Sequence, residues 1–109
     1  MADQTGGDMT HFENEALGVS FDLPERITVG DQLRYKGRIY TAGMVSEDIY
    51  IRYWAGARGL VKNWQCEAMP DVMVDIEQEE SSDIADIVFW AGNMVAGHVT
   101  NLANVKKNS

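Results

Sequence analysis

The chain has 109 residues, a formal net charge of −8, an apolar fraction of 45% and one cysteine, Cys66. This length predicts one domain with a modest core, and no apolar run is long enough to span a bilayer. A lone cysteine excludes an internal disulfide and fits a reducing, cytoplasmic setting. The acidic balance, repelled by phosphate backbones, argues against a nucleic-acid partner.

The charge is laid down in blocks. Residues 1–25 hold six acids and no Lys or Arg, residues 26–66 hold seven bases against three acids, and residues 67–86 hold eight acids and no base. An acidic block of this kind answers the basic middle segment, offers a negative face to a basic partner, or is simply a solvated loop.

Residues 1–10 are small and polar and are expected to form a disordered tail. The opening MADQTGGDMTH has neither a basic nor an apolar stretch, so no signal peptide is expected. The remaining residues, 11–109, are read as a single helical domain. Leu17, Val19 and Phe21 alternate with Gly18, Ser20 and Asp22, which is strand period. Asn14 to Gly18 supplies a turn, so an N-terminal β-hairpin is expected, ended by Leu23-Pro24.

Thr28 and Asp31 mark a helix start. Leu33, Tyr35, Ile39 and Tyr40 fit neither period cleanly, and Gly37 and Gly43 weaken a helix. A short helix from about Val29 to Lys36 is expected, with a strand pair over 32–40 as the rival. Ser46-Glu47-Asp48 then opens a long amphipathic helix from about Glu47 to Cys66, with Tyr50, Tyr53, Trp54, Ala57, Leu60, Val61 and Trp64 on one face. Residues 67–81 read as an acidic linker, in which Val72, Val74 and Ile76 alternate as in a short strand. Ser82 is expected to cap a final helix with Ile84, Ile87, Val88, Ala91, Met94 or Val95, His98, Leu102 and Val105 on its core stripe. The fold class expected is mainly α: two long helices, a short one and the hairpin.

Trp-Ala-Gly occurs twice, at Trp54-Ala55-Gly56 and Trp90-Ala91-Gly92. On helical wheels Trp54 lies on the core stripe, whereas Trp90 falls with Asp86, Asn93, Gly97 and Asn101 on the polar side. Phe89, Gly92, Ala96, Val99 and Ala103 form a second apolar strip, so the final helix is apolar over more than half its circumference. Ordinary helix–helix packing accounts for such a pattern. The sharper reading is a self-association or partner surface built on Trp90, Phe89, Gly92 and Ala96, with Gly56 and Gly59 as a matching small patch on the middle helix.

The residues argue against catalysis. His11 and His98 have no Cys or carboxylate at metal-ligand spacing, and no calcium loop, phosphate loop, dinucleotide fingerprint or nucleophile elbow occurs. Cys66 reads as a small buried hydrophobe. No catalytic, cofactor or metal residue is therefore assigned. An enzyme would need a cleft built around Cys66, His98 and acids.

Three stretches together resemble a known group. They are LGVSFDLPERITVGDQL, RYWAGARGLVKNWQCEAMPD and DIADIVFWAGNMVAGHVTNLANVKKN. The chain resembles small structural-module proteins of tailed bacteriophages, especially tail assembly chaperones, over roughly residues 12–108. The resemblance implies a mostly helical, non-catalytic protein of the bacterial host cytoplasm or the virion, likening its role to holding a structural partner such as the tape-measure protein, with self-association into a homo-oligomer. The rival readings are an acidic inhibitor that mimics phosphate charge towards a host nucleic-acid enzyme, and a minor virion component such as a head–tail connector.

Overall fold

The computed structural model describes residues 8–108. Its elements run β1 (Met9–Asn14), β2 (Val19–Pro24), α1 (Val29–Gly43), α2 (Ile49–Ala57), β3 (Lys62–Cys66), a 3₁₀ turn (Ile76–Gln78) and α3 (Ser82–Asn108). Of the tail expected over residues 1–10, positions 1–7 lie outside the described residues, while Met9 and Thr10 already belong to β1.

The mainly α expectation is overturned. The chain forms an α+β domain, 51% helical and 18% strand, with a three-stranded antiparallel sheet in the order β1-β2-β3. The expected hairpin is present, with Phe12 opposite Phe21 and Asn14 opposite Val19. Its turn is closed by Leu17 N–H donating to Asn14 Oδ1 (3.1 Å), and Gly18 supplies the positive φ of 66° that a side chain would resist. Strand β2 is central, and its period of two drives Val19, Phe21 and Leu23 fully into the core.

The long middle helix expected to reach Cys66 stops at Ala57. Gly59 and Leu60 turn the chain, with N–H groups bonded to Gly56 and Ala57 carbonyls (3.2 and 2.9 Å). The chain then re-enters as β3, pairing Cys66 with Val19 and Lys62 with Asp22. Without β3, the second edge of buried strand β2 would lose its ladder bonds, and buried unpaired backbone is costly. A register shift between Ser20 and Asp22 accommodates Asn63 at a φ of 53°, where its side-chain amide donates to Asp22 Oδ2 at 2.8 Å. Asparagine tolerates this left-handed conformation better than most residues.

Helix α1 runs past the expected Lys36 to Gly43, so residues 32–40 are helix, not a strand pair. Thr28 and Asp31 make the reciprocal cap that the sequence announces (Oγ1 to Asp31 N, 3.0 Å). A mid-helix glycine costs up to about 1 kcal/mol, and α1 absorbs that at Gly37 because Tyr35 and Ile39 pack onto α2 one turn apart. The acidic stretch 67–81 contains no strand. Val72, Val74 and Ile76 are half-buried and pack against the core from turns, and Trp64 Nε1 donates to the Met69 carbonyl at 2.7 Å to hold the stretch down.

Helix α3 is capped one residue earlier than expected: Ser81 Oγ accepts from Asp83 N at 3.2 Å. Its 27 residues span about 40 Å at 1.5 Å per residue, the length of the molecule's long axis. Ile84, Ile87, Val88, Ala91, Val95 and Val99 are buried. The sheet covers one side of this helix, α2 lies on another, and α1 packs outside α2.

Candidate functional site

The two Trp-Ala-Gly segments are both used inside the molecule. Trp54 is buried, its ring 5.6 Å from that of Trp64 on β3. Trp90, expected on the polar side, turns its half-buried ring onto Phe21 of β2 at 5.6 Å, edge to face. The sheet occupies the sector that an all-helical arrangement leaves to solvent, so Trp90 serves packing and is not an exposed anchor.

The glycines divide in the same way. A Cβ on Gly56 would stand 2.9 Å from Ile39 Cγ1 and 3.0 Å from the Tyr35 ring, so its bareness lets α1 and α2 close. Gly59 lies beneath the Arg38 guanidinium. Both belong to the α1–α2 contact.

Gly92 is different. It is buried in its helix, yet a Cβ there would meet nothing within 4 Å. Gly92 and Ala96 form one wall of an open groove of about 610 Å³, between α1 and α3 with α2 at its base. The same groove contains Phe89 and, opposite, Tyr35, Tyr50 and Tyr53. Tyr50 and Phe89 meet edge to face at 4.9 Å while each leaves about half its surface in solvent. Three of the six sequence-chosen residues (Phe89, Gly92 and Ala96) are thus brought together, and the other three are used in internal packing.

The groove has one polar peculiarity. The Tyr35 hydroxyl is buried and has no hydrogen-bond partner among the described residues. Burial, with Tyr53 close by, pushes its pKa up to about 12. An unpaired buried hydroxyl costs on the order of 1–3 kcal/mol. Among the groove's described lining residues only Lys36 is charged. Tyr50 and Tyr53 are expected from their spacing on the core face of the middle helix, and Tyr35 fits no clean period; the wall they form together depends on how α1 seats on α2, which no local pattern carries.

A second cavity, of about 750 Å³, lies across α1, where Arg34, Arg38 and Arg58 face Asp75 and Glu77. Arg34 is already bonded to Asp31 at 2.7 Å. The opposed charges leave this cavity without a dominant sign.

The titratable groups are arranged for structure. His98 Nε2 donates to the Pro24 carbonyl at 2.8 Å, with its ring edge-on to Phe12, which ties α3 to the end of β2. Cys66 is buried in β3. His11 lies on the exposed face of the sheet, bonded to Asp22 (2.7 Å) and Glu13 (3.1 Å). These carboxylates, Asp22 first, raise its pKa, while Asn63 and then His11 lower that of Asp22. A shallow cavity of about 280 Å³ at the hairpin turn touches this cluster through Glu13, but its lining includes neither His11 nor Asp22. Among the described residues no group of three His, Cys, Asp or Glu side chains is placed to hold a metal, and no helix is long and apolar enough to cross a membrane.

Comparison with protein families, curated proteins and solved structures returns no match for this chain.

Proposed function

We propose that this chain is a non-catalytic binding protein whose working site is the aromatic groove between α1 and α3. The occupant is an apolar helical segment of a structural partner, held until assembly, in the manner of a bacteriophage tail assembly chaperone acting in the host cytoplasm. The observation that carries this reading is Gly92: a buried helical glycine with empty space where its side chain would be, flanked by the half-exposed rings of Phe89 and Tyr50. No described residue comes within 4 Å of where that side chain would be. The open space suits the close approach of a side chain from a docked helix.

The test is co-expression with the tape-measure protein encoded beside such chaperones, reading the fraction of it kept in solution. Gly92→Leu fills the groove and Phe89→Ala removes a wall. Both are expected to lower that fraction severalfold while leaving the protein folded. If neither variant changes it, the reading fails.

One observation favours a second reading. All eight acids of residues 67–86 are exposed, and among the described residues none has an ion-pair partner. Such a ridge suits an inhibitor that imitates a phosphate backbone. Salt separates the two: capture through the ridge collapses as ionic strength rises, whereas apolar groove binding persists. Recovery of the chain from purified particles would instead favour a virion component.

A further inference from the structure

The aromatic groove does not end at Tyr50 and Phe89. A smaller cavity of about 370 Å³ adjoins it, between the start of α2, the 3₁₀ turn and the first turns of α3, and Tyr50, Val88 and Phe89 line both. Groove and cavity form one furrow along α3. From Ile84 to Thr100 it runs about 24 Å at 1.5 Å per residue, room for a docked helix of about four turns.

The two halves of the furrow differ in charge. The described lining of the groove holds one base, Lys36, and no acid; that of the cavity holds four acids and no base. Two of these acids are engaged within the chain. Asp48 accepts from the Tyr50 and Ile51 amides at 2.8 and 3.2 Å, and Glu77 also lines the cavity across α1 that holds the arginines. Glu79 and Asp86 are exposed and have no ion-pair partner among the described residues. Asp86 stands in the second turn of α3, past the first-turn amides where the helix end favours an acid. Most of the remaining lining is apolar: Ile51, Ile76, Ile84 and Val88, with the half-exposed Phe89 ring where cavity and groove meet.

A long basic side chain matches this pairing of apolar wall and free carboxylates. Its methylene stem lies on the isoleucines while its charged head meets Glu79 and Asp86, and a guanidinium gains the face of Phe89 as well. Lys36, in the groove, repels a base placed at the other end. The positive start of α3 borders the cavity and suits the C-terminal end of a docked helix. We infer that the helix held in the groove runs antiparallel to α3 and carries an arginine or lysine in its last turn, seated between Glu79 and Asp86. This placement rests on the groove being the working site.

The probes are two hydrocarbon-stapled helical peptides of identical composition and with the same leucine stripe. One has arginine in its last turn and glutamine in its first; in the other the two are exchanged. Both carry fluorescein on the face opposite the stripe and are followed by fluorescence anisotropy. The peptide with arginine in its last turn is expected to bind about fivefold more tightly, which is about 1 kcal/mol and lies at the upper end for an exposed ion pair. The advantage should shrink as salt rises. Glu79→Gln combined with Asp86→Asn should erase it, while Gly92→Leu should abolish binding of both peptides. Glu79 and Asp86 are exposed, so circular dichroism of the double variant should match the parent.

Where Gly92→Leu does abolish binding, three results overturn the inference and leave the groove standing: equal affinities, a preference for arginine in the first turn, or an advantage that survives the double substitution. Binding by neither peptide, or binding indifferent to Gly92→Leu, removes the groove itself and the inference with it. A concentration-dependent oligomer that the double substitution dissolves overturns it as well, because a second copy would then be the occupant.

Discussion

His11 and Asp22 face each other across the β1–β2 ladder, with Nδ1 2.7 Å from Oδ1 on the exposed face of the sheet. Glu13 Oε1 sits 3.1 Å from the other ring nitrogen. Only the imidazolium can donate from both nitrogens at once, which is why the pKa of His11 rises; that of Asp22 falls through the Asn63 amide first and His11 second.

The pH dependence follows in sign. A histidine raised from 6.5 stabilises the fold fully below 6.5 and loses that contribution as pH climbs through its elevated value. An aspartate lowered from 3.8 contributes above 3.8 and loses its part as pH falls through its depressed value. His11→Gln is therefore expected to lower the melting temperature most between pH 3.8 and 6.5, with the difference closing at alkaline pH. A difference that stays constant across that range would show the pair to be irrelevant to stability.

Gly92 and Gly56 make opposite predictions from the same chemistry. Alanine at position 92 enters open space and gains helix propensity, so stability should hold or rise by up to about 1 kcal/mol. Alanine at position 56 meets Ile39 and the Tyr35 ring at 3.0 Å or less, and overpacking of this kind costs about 1–3 kcal/mol. Urea unfolding of the two variants distinguishes them. Equal midpoints would mean that α1 is not seated on α2 through Gly56.

The neighbours Phe89 and Trp90 also part company. Trp90 rests on Phe21, so its truncation to alanine removes aromatic packing between α3 and the sheet and should cost about 2 kcal/mol or more. Phe89 is half-exposed at the groove wall, and Phe89→Ala should stay within about 1 kcal/mol of the parent. Thermal unfolding that ranks them the other way would place Trp90 at the surface.

At the start of α3, Ser81 and not Ser82 accepts from the first-turn amides. Ser81→Ala should cost about 1 kcal/mol and Ser82→Ala little, a contrast readable in the same unfolding experiment.

Local signals reached far in this chain. Strand alternation at Val19 and Phe21, the helix start at Thr28 and Asp31 and the core stripe of Ile84, Ile87, Val88 and Ala91 are all written within a few residues, and each is seen in the fold. Strand β3 is not written locally. Ala57, Leu60, Val61 and Trp64 satisfy a helical period, and what makes Lys62–Cys66 a strand is the open edge of β2, 40 to 47 positions earlier. Once that sheet was missed, Trp90 fell on an apparently polar face. Ending α1 at Lys36, on the intrinsic cost of Gly37, leaves Ile39 of the groove outside the helix. Propensity was outweighed there by the packing of Tyr35 and Ile39. Of the candidate site, Phe89, Gly92 and Ala96 were legible as a surplus apolar strip, but the aromatic wall opposite them was not.

Tyr35 joins that wall to a measurable property. Its hydroxyl is buried without a partner among the described residues, and its pKa is pushed from 10 up to about 12. Between those values the unfolded chain releases this proton while the folded one keeps it, so stability must fall as pH rises from 10 to 12. Tyr35→Phe removes the unpaired hydroxyl and keeps the ring over Gly56. It should leave neutral-pH stability unchanged or raise it, because no hydrogen bond is lost, and it should flatten the alkaline decline. In an ultraviolet titration, the ionisation step near 12 should vanish from the variant. If instead Tyr35→Phe destabilises the protein at neutral pH by about 1 kcal/mol or more, the hydroxyl has a partner in solution. The groove would then be closed over it rather than open to another chain.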